Sequence, residues 1–438
     1  MNDSRIEAIA ARQILDSRGR PTVEVDVRLA DGSFGRASVP SGASTGTHEA
    51  HELRDGGSAW DGRGVRRAVA NVGGEIAAAL RGGDALAQRE IDARLVALDG
   101  TPNKATLGGN ATVAVSLAVA HAAAAARGLP LWRHLAGDAP VTLPLPEVQI
   151  FGGGAHAGRR IDIQDLMVMP VGAASFADAM VMTAEIYRAA GALMAEEGRA
   201  AGVADEGGHW PAFATNEEAL AMLVRAIERA GYRPGEDAAL SLDIAASEFG
   251  ADGRYVLGLE RRELDRDGMI ALLVDWLDRY PIASIEDPLA EDDREGWIAF
   301  MRAAGTRVQV IGDDYLTTSA ARVAAAAADR ACNAVLLKPN QAGTVTETQA
   351  ALAAARAAGF ATIVSARSGE TEDISIVHLA VGWNAGQLKV GSFARGERMA
   401  KWNEALRIEE ALGDRARFAG AGALAGWRPA GRQQGSSQ

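Results

Sequence analysis

Apolar residues follow two different patterns along this chain, and the change between them divides it. Over residues 22–29 the sequence alternates strictly, with Val23, Val25, Val27 and Leu29 on one side. A period of two predicts a half-buried strand in an antiparallel sheet. Asp31-Gly32 gives a turn, and residues 33–39 are expected to return as the next strand. Residues 39–49 are dense in Gly, Ser and Thr and read as a mobile loop, either plain surface or a lid. Helical segments are expected from there to about Arg133, with Gly128-Leu129-Pro130 as a stop.

Beyond Pro140, Pro144 and Pro146, which mark the expected domain boundary, the pattern changes. Residues 240–243, 282–286, 308–313 and 334–338 are apolar runs too short for helices, each ending on an acid or a lysine. Helix-length stretches rich in Ala, Leu and Arg separate them. Fully buried parallel strands alternating with helices have this form. Residues 143–151 and 161–170 precede the four runs, and 361–368 and 386–390 follow them. Eight such strands predict a closed α/β barrel of the TIM type, preceded by a smaller α+β domain with an antiparallel sheet. Thr215 to Glu218 has the form of a capping box; Leu220, Leu223, Val224 and Ile227 mark one face of the helix it opens. The expected division is residues 1–138, residues 139–430 and a disordered tail over 431–438.

A polar residue at the carboxyl end of each strand places the chemistry at one mouth of the barrel. Any single acid there could simply cap the following helix; four polar ends in register are harder to account for that way. Asp243, Glu286 and Asp313 offer the oxygens that a hard cation such as magnesium takes, and Lys338 is placed to remove a proton beside it. Gln164-Asp165 ends the second strand, and Asp205-Glu206 lies in an acidic, flexible turn that could swing a carboxylate over the mouth. Arg367-Ser368 and Lys389 end the last two strands, where barrels commonly bind phosphate. The glycine-rich turn before His156 lacks the Gly-Lys-Ser/Thr of a P-loop, and His156 alone reads as structural or catalytic. His48 and His51 are three apart, where the zinc-protease motif requires four. The set suits proton removal next to a carboxylate.

Composition narrows the partners. A length of 438 residues suits two domains, and a net charge of −12 argues against nucleic acid or an anionic membrane as the main partner. An anionic metabolite stays open, because a metal and local cations can reverse the sign within one cleft. Cys332, the single cysteine, precedes an apolar run and is expected to be a buried thiol. The first residues lack the apolar core of a signal peptide, and residues 111–126 are read as too short to span a bilayer, so a cytosolic home is expected.

These residues resemble the enolase (phosphopyruvate hydratase) family over nearly the whole chain. The motifs are specific: Asp16-Ser-Arg-Gly, Ser41-Gly-Ala-Ser-Thr-Gly, Asp205-Glu-Gly-Gly, Ser284-Ile-Glu-Asp-Pro, Lys338-Pro-Asn-Gln and Ser368-Gly-Glu-Thr-Glu-Asp373. The resemblance implies a barrel whose second strand runs antiparallel, a homodimer or an assembly of dimers, and dehydration of 2-phosphoglycerate or a close analogue. It implies two magnesium ions per active site, the tighter on Asp243, Glu286 and Asp313, the second arriving with substrate at Ser44. It further implies Lys338 as the base at carbon 2 and Glu206 as the acid at carbon 3. Lys389 would face the substrate carboxylate, Arg367 and Ser368 its phosphate, and His156 the leaving group, with Gln164 and Asp165 beside them.

The chain departs from the family where substrate is held. The family's Gln-Glu is Gln164-Asp165 here, its Ser-His-Arg-Ser is Ser365-Ala366-Arg367-Ser368, and its Asn-Gly-Gly-Ser-His is Gly152-Gly-Gly-Ala-His156. Arg159 and Arg160 make the following loop more basic, and Pro339 replaces a valine. The alternative is therefore a specialised paralogue such as carboxyphosphonoenolpyruvate synthase of phosphonate biosynthesis. Its phosphonylated glycerate needs room, as beside Ala366 and Asp165, and an extra cation, such as Arg159 or Arg160. A third reading is a non-catalytic enolase-like binding protein; retention of the acids, Lys338 and Glu206 counts against it.

Overall fold

Pro21–Leu29 is the central strand of a three-stranded antiparallel sheet, between Ile6–Leu15 and Phe34–Ser38. Its Val23, Val25, Val27 and Leu29 are fully buried, and the helix Gly109–Ala126 packs on the sheet. Gly35 permits that approach, since a Cβ there would lie 2.1 Å from the Ala118 carbonyl oxygen. Ile6–Leu15 is a strand that the hydrophobic pattern does not predict. Its alanines and half-exposed positions carry no period of two, and it forms by pairing along the edge of its neighbour. The helix has 18 residues and is apolar enough to cross a membrane, so length alone does not dismiss it; 83% of it is buried inside the protein. It is apolar on every side because it is a core helix.

The computed structural model describes residues 3–428, so the tail expected over 431–438 lies outside the described residues. Eight strands close into a barrel: Leu145–Gly152, Asp165–Met169, Ala239–Asp243, Ile282–Glu286, Gln309–Gly312, Ala334–Leu337, Ala361–Ser365 and Gly386–Gly391. The eighth pairs with the first, and the second runs antiparallel to both of its neighbours. The second strand is shorter than predicted. Residues before it are diverted into loop contacts: the Asp162 carboxylate accepts from the Gly258 N–H at 2.9 Å and the Asn216 amide at 2.8 Å. At the opposite end of the barrel, Leu424 and Trp427 pack with Leu145, Met169, Ala239 and Ala283.

Strand register supplies the geometry that function uses. Asp165 pairs with Asp243 and Asp243 with Glu286, so three acids from three adjacent strands lie in one row. Lys389 pairs with Ser365 on one side and Glu147 on the other. The capping box forms in part: Thr215 accepts from the Glu218 N–H at 3.2 Å, while the Glu218 carboxylate takes the N–H of Ala214. Cys332 is buried, and burial pushes its thiol pKa upward.

Candidate active site

A narrow cavity opens at the carboxyl ends of the strands. Its walls carry Ser44 from the glycine-rich loop, His156, Gln164, Asp165, Glu206, Asp243, Lys338, Ala366, Arg367, Ser368 and Lys389. Of the three acids named for one cation, Asp243 lines these walls while Glu286 and Asp313 do not; two lysines connect them to it. The Lys389 ammonium donates to Asp243 at 2.9 Å and Glu286 at 2.8 Å, with Asp165 at 3.4 Å. The Lys338 ammonium donates to Asp313. The three acids named for one cation are thus divided between two ammonium groups, which supply the positive charge that buried carboxylates require.

Burial and the nearby Asp243 push the Glu286 carboxyl well above the usual range, against the pull of Lys389. Burial opposes ionisation of Asp313 too, but Lys338 and Arg367 outweigh it and hold that carboxyl low. Lys338 caps the short helix Pro339–Ala342, with Pro339 at a first-turn position where its missing N–H costs nothing. Its own N–H donates to Thr318 at 2.9 Å.

On the other side of the cavity, His156 Nδ1 lies 3.5 Å from Asp165 and 3.7 Å from Glu206. Burial would lower the imidazole pKa, yet Glu206 and Asp165 outweigh it and raise it. Burial and Asp165 raise Glu206, favouring its protonated form. The turn bearing Glu206 is tied down: the Ser392 N–H donates to the Glu206 carbonyl at 2.8 Å, and Gln149 accepts from the Gly208 N–H at 2.8 Å.

Arg367 donates to the Ser44 carbonyl at 2.9 Å and to both oxygens of Glu49 at 3.0 and 3.1 Å, which holds the loop over the mouth. Arg398, wholly buried, donates to the carbonyls of Arg367, Ser368 and Val390 and so joins the ends of the last two strands. Arg159 and Arg160 do not line the cavity. Arg159 pairs with Glu248 at 2.7 Å, and the Arg160 guanidinium lies 4.8 Å from the Trp210 ring centroid. The extra cation sought for a second anionic group is not among these walls.

Several residues here were not singled out by sequence reasoning. Gln341 donates to Asp313 at 2.9 Å, Asp287 accepts from the N–H groups of Asp313 and Asp314, and Gln149 donates to Asp165. Glu147, fully buried, accepts from Ser241 at 3.1 Å. For Glu147 and Gln149 a signal existed, since polar residues inside an otherwise apolar strand require a partner.

The donor set fits magnesium. Glu286 Oε1, Asp165 Oδ2 and Gln164 Oε1 are buried oxygens without a hydrogen-bond partner, and all are the hard donors that such a cation takes. Ligand atoms of His156, Asp165 and Glu206 also fall within 4.8 Å of one another, as do those of Asp287, Asp313 and Asp314.

Two family models cover most of the sequence. Residues 6–135 match the enolase N-terminal domain and residues 140–426 the enolase C-terminal TIM barrel domain. The chain belongs to the enolase family. It is similar to Enolase 1 of Desulfitobacterium hafniense (strain Y51), 49% identical over 428 residues, which cover 97% of this chain and 98% of that protein. Membership in the enolase family makes it a hydro-lyase of the phosphopyruvate hydratase kind.

Proposed function

We propose that this enolase-family enzyme removes water from 2-phosphoglycerate to give phosphoenolpyruvate. One observation carries the reading: the cavity has an amine, Lys338, on one wall and a carboxyl biased toward its protonated form, Glu206, on another. Lys338 would take the proton from carbon 2, leaving its electron pair to form the double bond. Glu206 would protonate the hydroxyl leaving carbon 3, with His156 beside it. Arg367 and Ser368 would bind the phosphate and Lys389 the carboxylate, while Gln164 and Asp165 hold the far side. Asp243, Glu286 and Asp313 would hold the tighter magnesium and Ser44 the second. Bound magnesium would supply positive charge against the substrate carboxylate as it gains a second charge. Lys338 is held as an ammonium by Asp313, so it must first shed that proton to act as a base. General-base catalysis contributes about 10²- to 10⁴-fold.

The test is direct. Purified protein with magnesium and 2-phosphoglycerate should form phosphoenolpyruvate and exchange the carbon 2 proton with solvent. Lys338→Ala should lose both by about 10³-fold. Absence of both in the unaltered protein would overturn the reading.

A second reading, dehydration of a glycerate carrying phosphonoformate, is favoured by Ala366, whose small side chain lines the cavity beside Arg367. The engagement of Arg159 and Arg160 elsewhere weakens it. Negligible turnover of 2-phosphoglycerate with intact magnesium binding would favour it.

A further inference from the structure

His156 has an unusual supporting problem. Its buried Nδ1 has no hydrogen-bond partner, and its nearest acids stand at 3.5 and 3.7 Å, too far to fix the ring. Its position therefore depends on its backbone. That backbone is a single 3₁₀ turn, Gly154–Ala157, bounded by left-handed residues at Gly154, Gly158 and Arg159. Backbone bonds fix its entry, from the Gly153 N–H to the Gln164 carbonyl at 2.7 Å and from the Gly154 N–H to the Ile161 carbonyl at 2.9 Å, and leave its far end, Ala157 and Gly158, to be held by side chains.

We propose that Trp210 is a positioning residue that clamps this turn and so keeps His156 against Glu206 and Asp165. The proposal rests on the functional reading above. Trp210 does not line the cavity. Its indole N–H donates to the Ala157 carbonyl, one residue beyond His156. Its ring lies so close to Gly158 that a Cβ there would meet Cζ2 at 3.3 Å, and the Arg160 guanidinium covers the ring at 4.8 Å. Arg159 extends the grip to Glu248, at 2.7 Å to the carboxylate and 3.2 Å to the carbonyl. The two arginines that distinguish this loop thus brace the turn.

The clamp is itself anchored. In the strand His209–Pro211, neighbouring side chains point to opposite sides. His209 stacks on Tyr187 of the helix Phe176–Glu196, with centroids 4.2 Å apart at 14°, and its Nε2 lies 3.0 Å from the Tyr187 carbonyl. The Tyr187 hydroxyl donates to the Gly207 carbonyl at 3.0 Å, next to Glu206. The Asp205 N–H closes the circuit by donating to the His156 carbonyl at 3.2 Å. The turn carrying Glu206 and the turn carrying His156 are thereby fixed to one helix.

Lys338 lies outside this unit, just past the end of the sixth strand, so the two halves of the reaction separate. Trp210→Phe keeps a ring under Arg160 but removes the N–H; Trp210→Ala removes both. Product formation should fall about 10-fold and about 10²-fold respectively, the scale of an ångström-size misplacement. KM and the rate of carbon 2 proton exchange should stay near those of the unaltered protein. In the same variants, amide hydrogen exchange over residues 153–160 should speed up while the helix Asn216–Arg229 is unchanged. A parallel loss of exchange and elimination, or full elimination in both variants, would overturn the clamp. If the unaltered protein neither exchanges nor dehydrates 2-phosphoglycerate, the functional reading fails, and amide exchange alone decides: unaltered protection of 153–160 in Trp210→Ala overturns the clamp.

Discussion

The ammonium of Lys389 lies 2.8 Å from Glu286, a carboxylate with no exposed surface, and 2.9 Å from Asp243. Burial of the amine is unfavourable, but the acids around it raise its pKa well above the usual lysine value. This charge faces two acids inside the barrel and offsets part of the cost of burying them. Removing one partner of a buried pair costs about 3–5 kcal/mol. Lys389→Met should therefore lose about that much stability in EDTA at neutral pH. Magnesium should raise the variant's melting temperature more than that of the unaltered protein. Equal gains in both would show that the lysine and the cation do not answer to the same acids.

His156 owes its raised pKa to Glu206 and Asp165, which outweigh the effect of burial. Asp165→Asn removes one of those charges, 3.5 Å from the ring, without changing shape. The imidazole pKa should fall, followed by the ring resonances of His156 in an NMR titration of the magnesium-free protein. An unchanged titration would place the source of the shift elsewhere.

Glu147 pairs in register with Lys389, and burial pushes its carboxyl from the ordinary 4.5 up to about 7. The folded protein thus binds more protons than the unfolded chain between these values. The stabilisation is complete below about 4.5 and is lost as pH climbs through 7, a swing on the order of 3 kcal/mol. Glu147→Gln, which keeps a partner for Ser241, should flatten the decline in stability between pH 5 and 8. Urea unfolding in magnesium-free buffer measures it; an unchanged slope would exclude this group as the source.

Glu49 occupies both terminal nitrogens of Arg367. A phosphate bound at Arg367, as proposed above, would share that guanidinium with it. Glu49→Gln should lower KM for 2-phosphoglycerate about threefold and strengthen inhibition by inorganic phosphate similarly, a difference below about 1 kcal/mol. A higher KM would mean that Glu49 serves chiefly to hold the loop closed.

The hydrophobic pattern alone reached the central strand Pro21–Leu29, the eight barrel strands and the polar residues closing the four runs from Leu240 to Lys338, because a buried strand leaves a short apolar run whatever surrounds it. Gln164-Asp165, expected to end the second strand, instead precedes and opens it, since that strand runs antiparallel and brings its amino end to the mouth. Ile6–Leu15 escaped the pattern, since an edge strand is held by its neighbour's backbone and needs no alternation of its own. The motifs also placed Lys338, Glu206 and the acids on one chain in a meaningful order. What they could not give is which charge meets which. Lys389 reaches Asp243 across 146 positions of sequence, and Lys338 reaches Asp313 across 25. Arg159 and Arg160 read as free cations until folding brought Glu248 and Trp210 to them. Periodicity is a property of each segment's own burial and is written locally. Electrostatic partnership depends on distances that only barrel closure and strand register set.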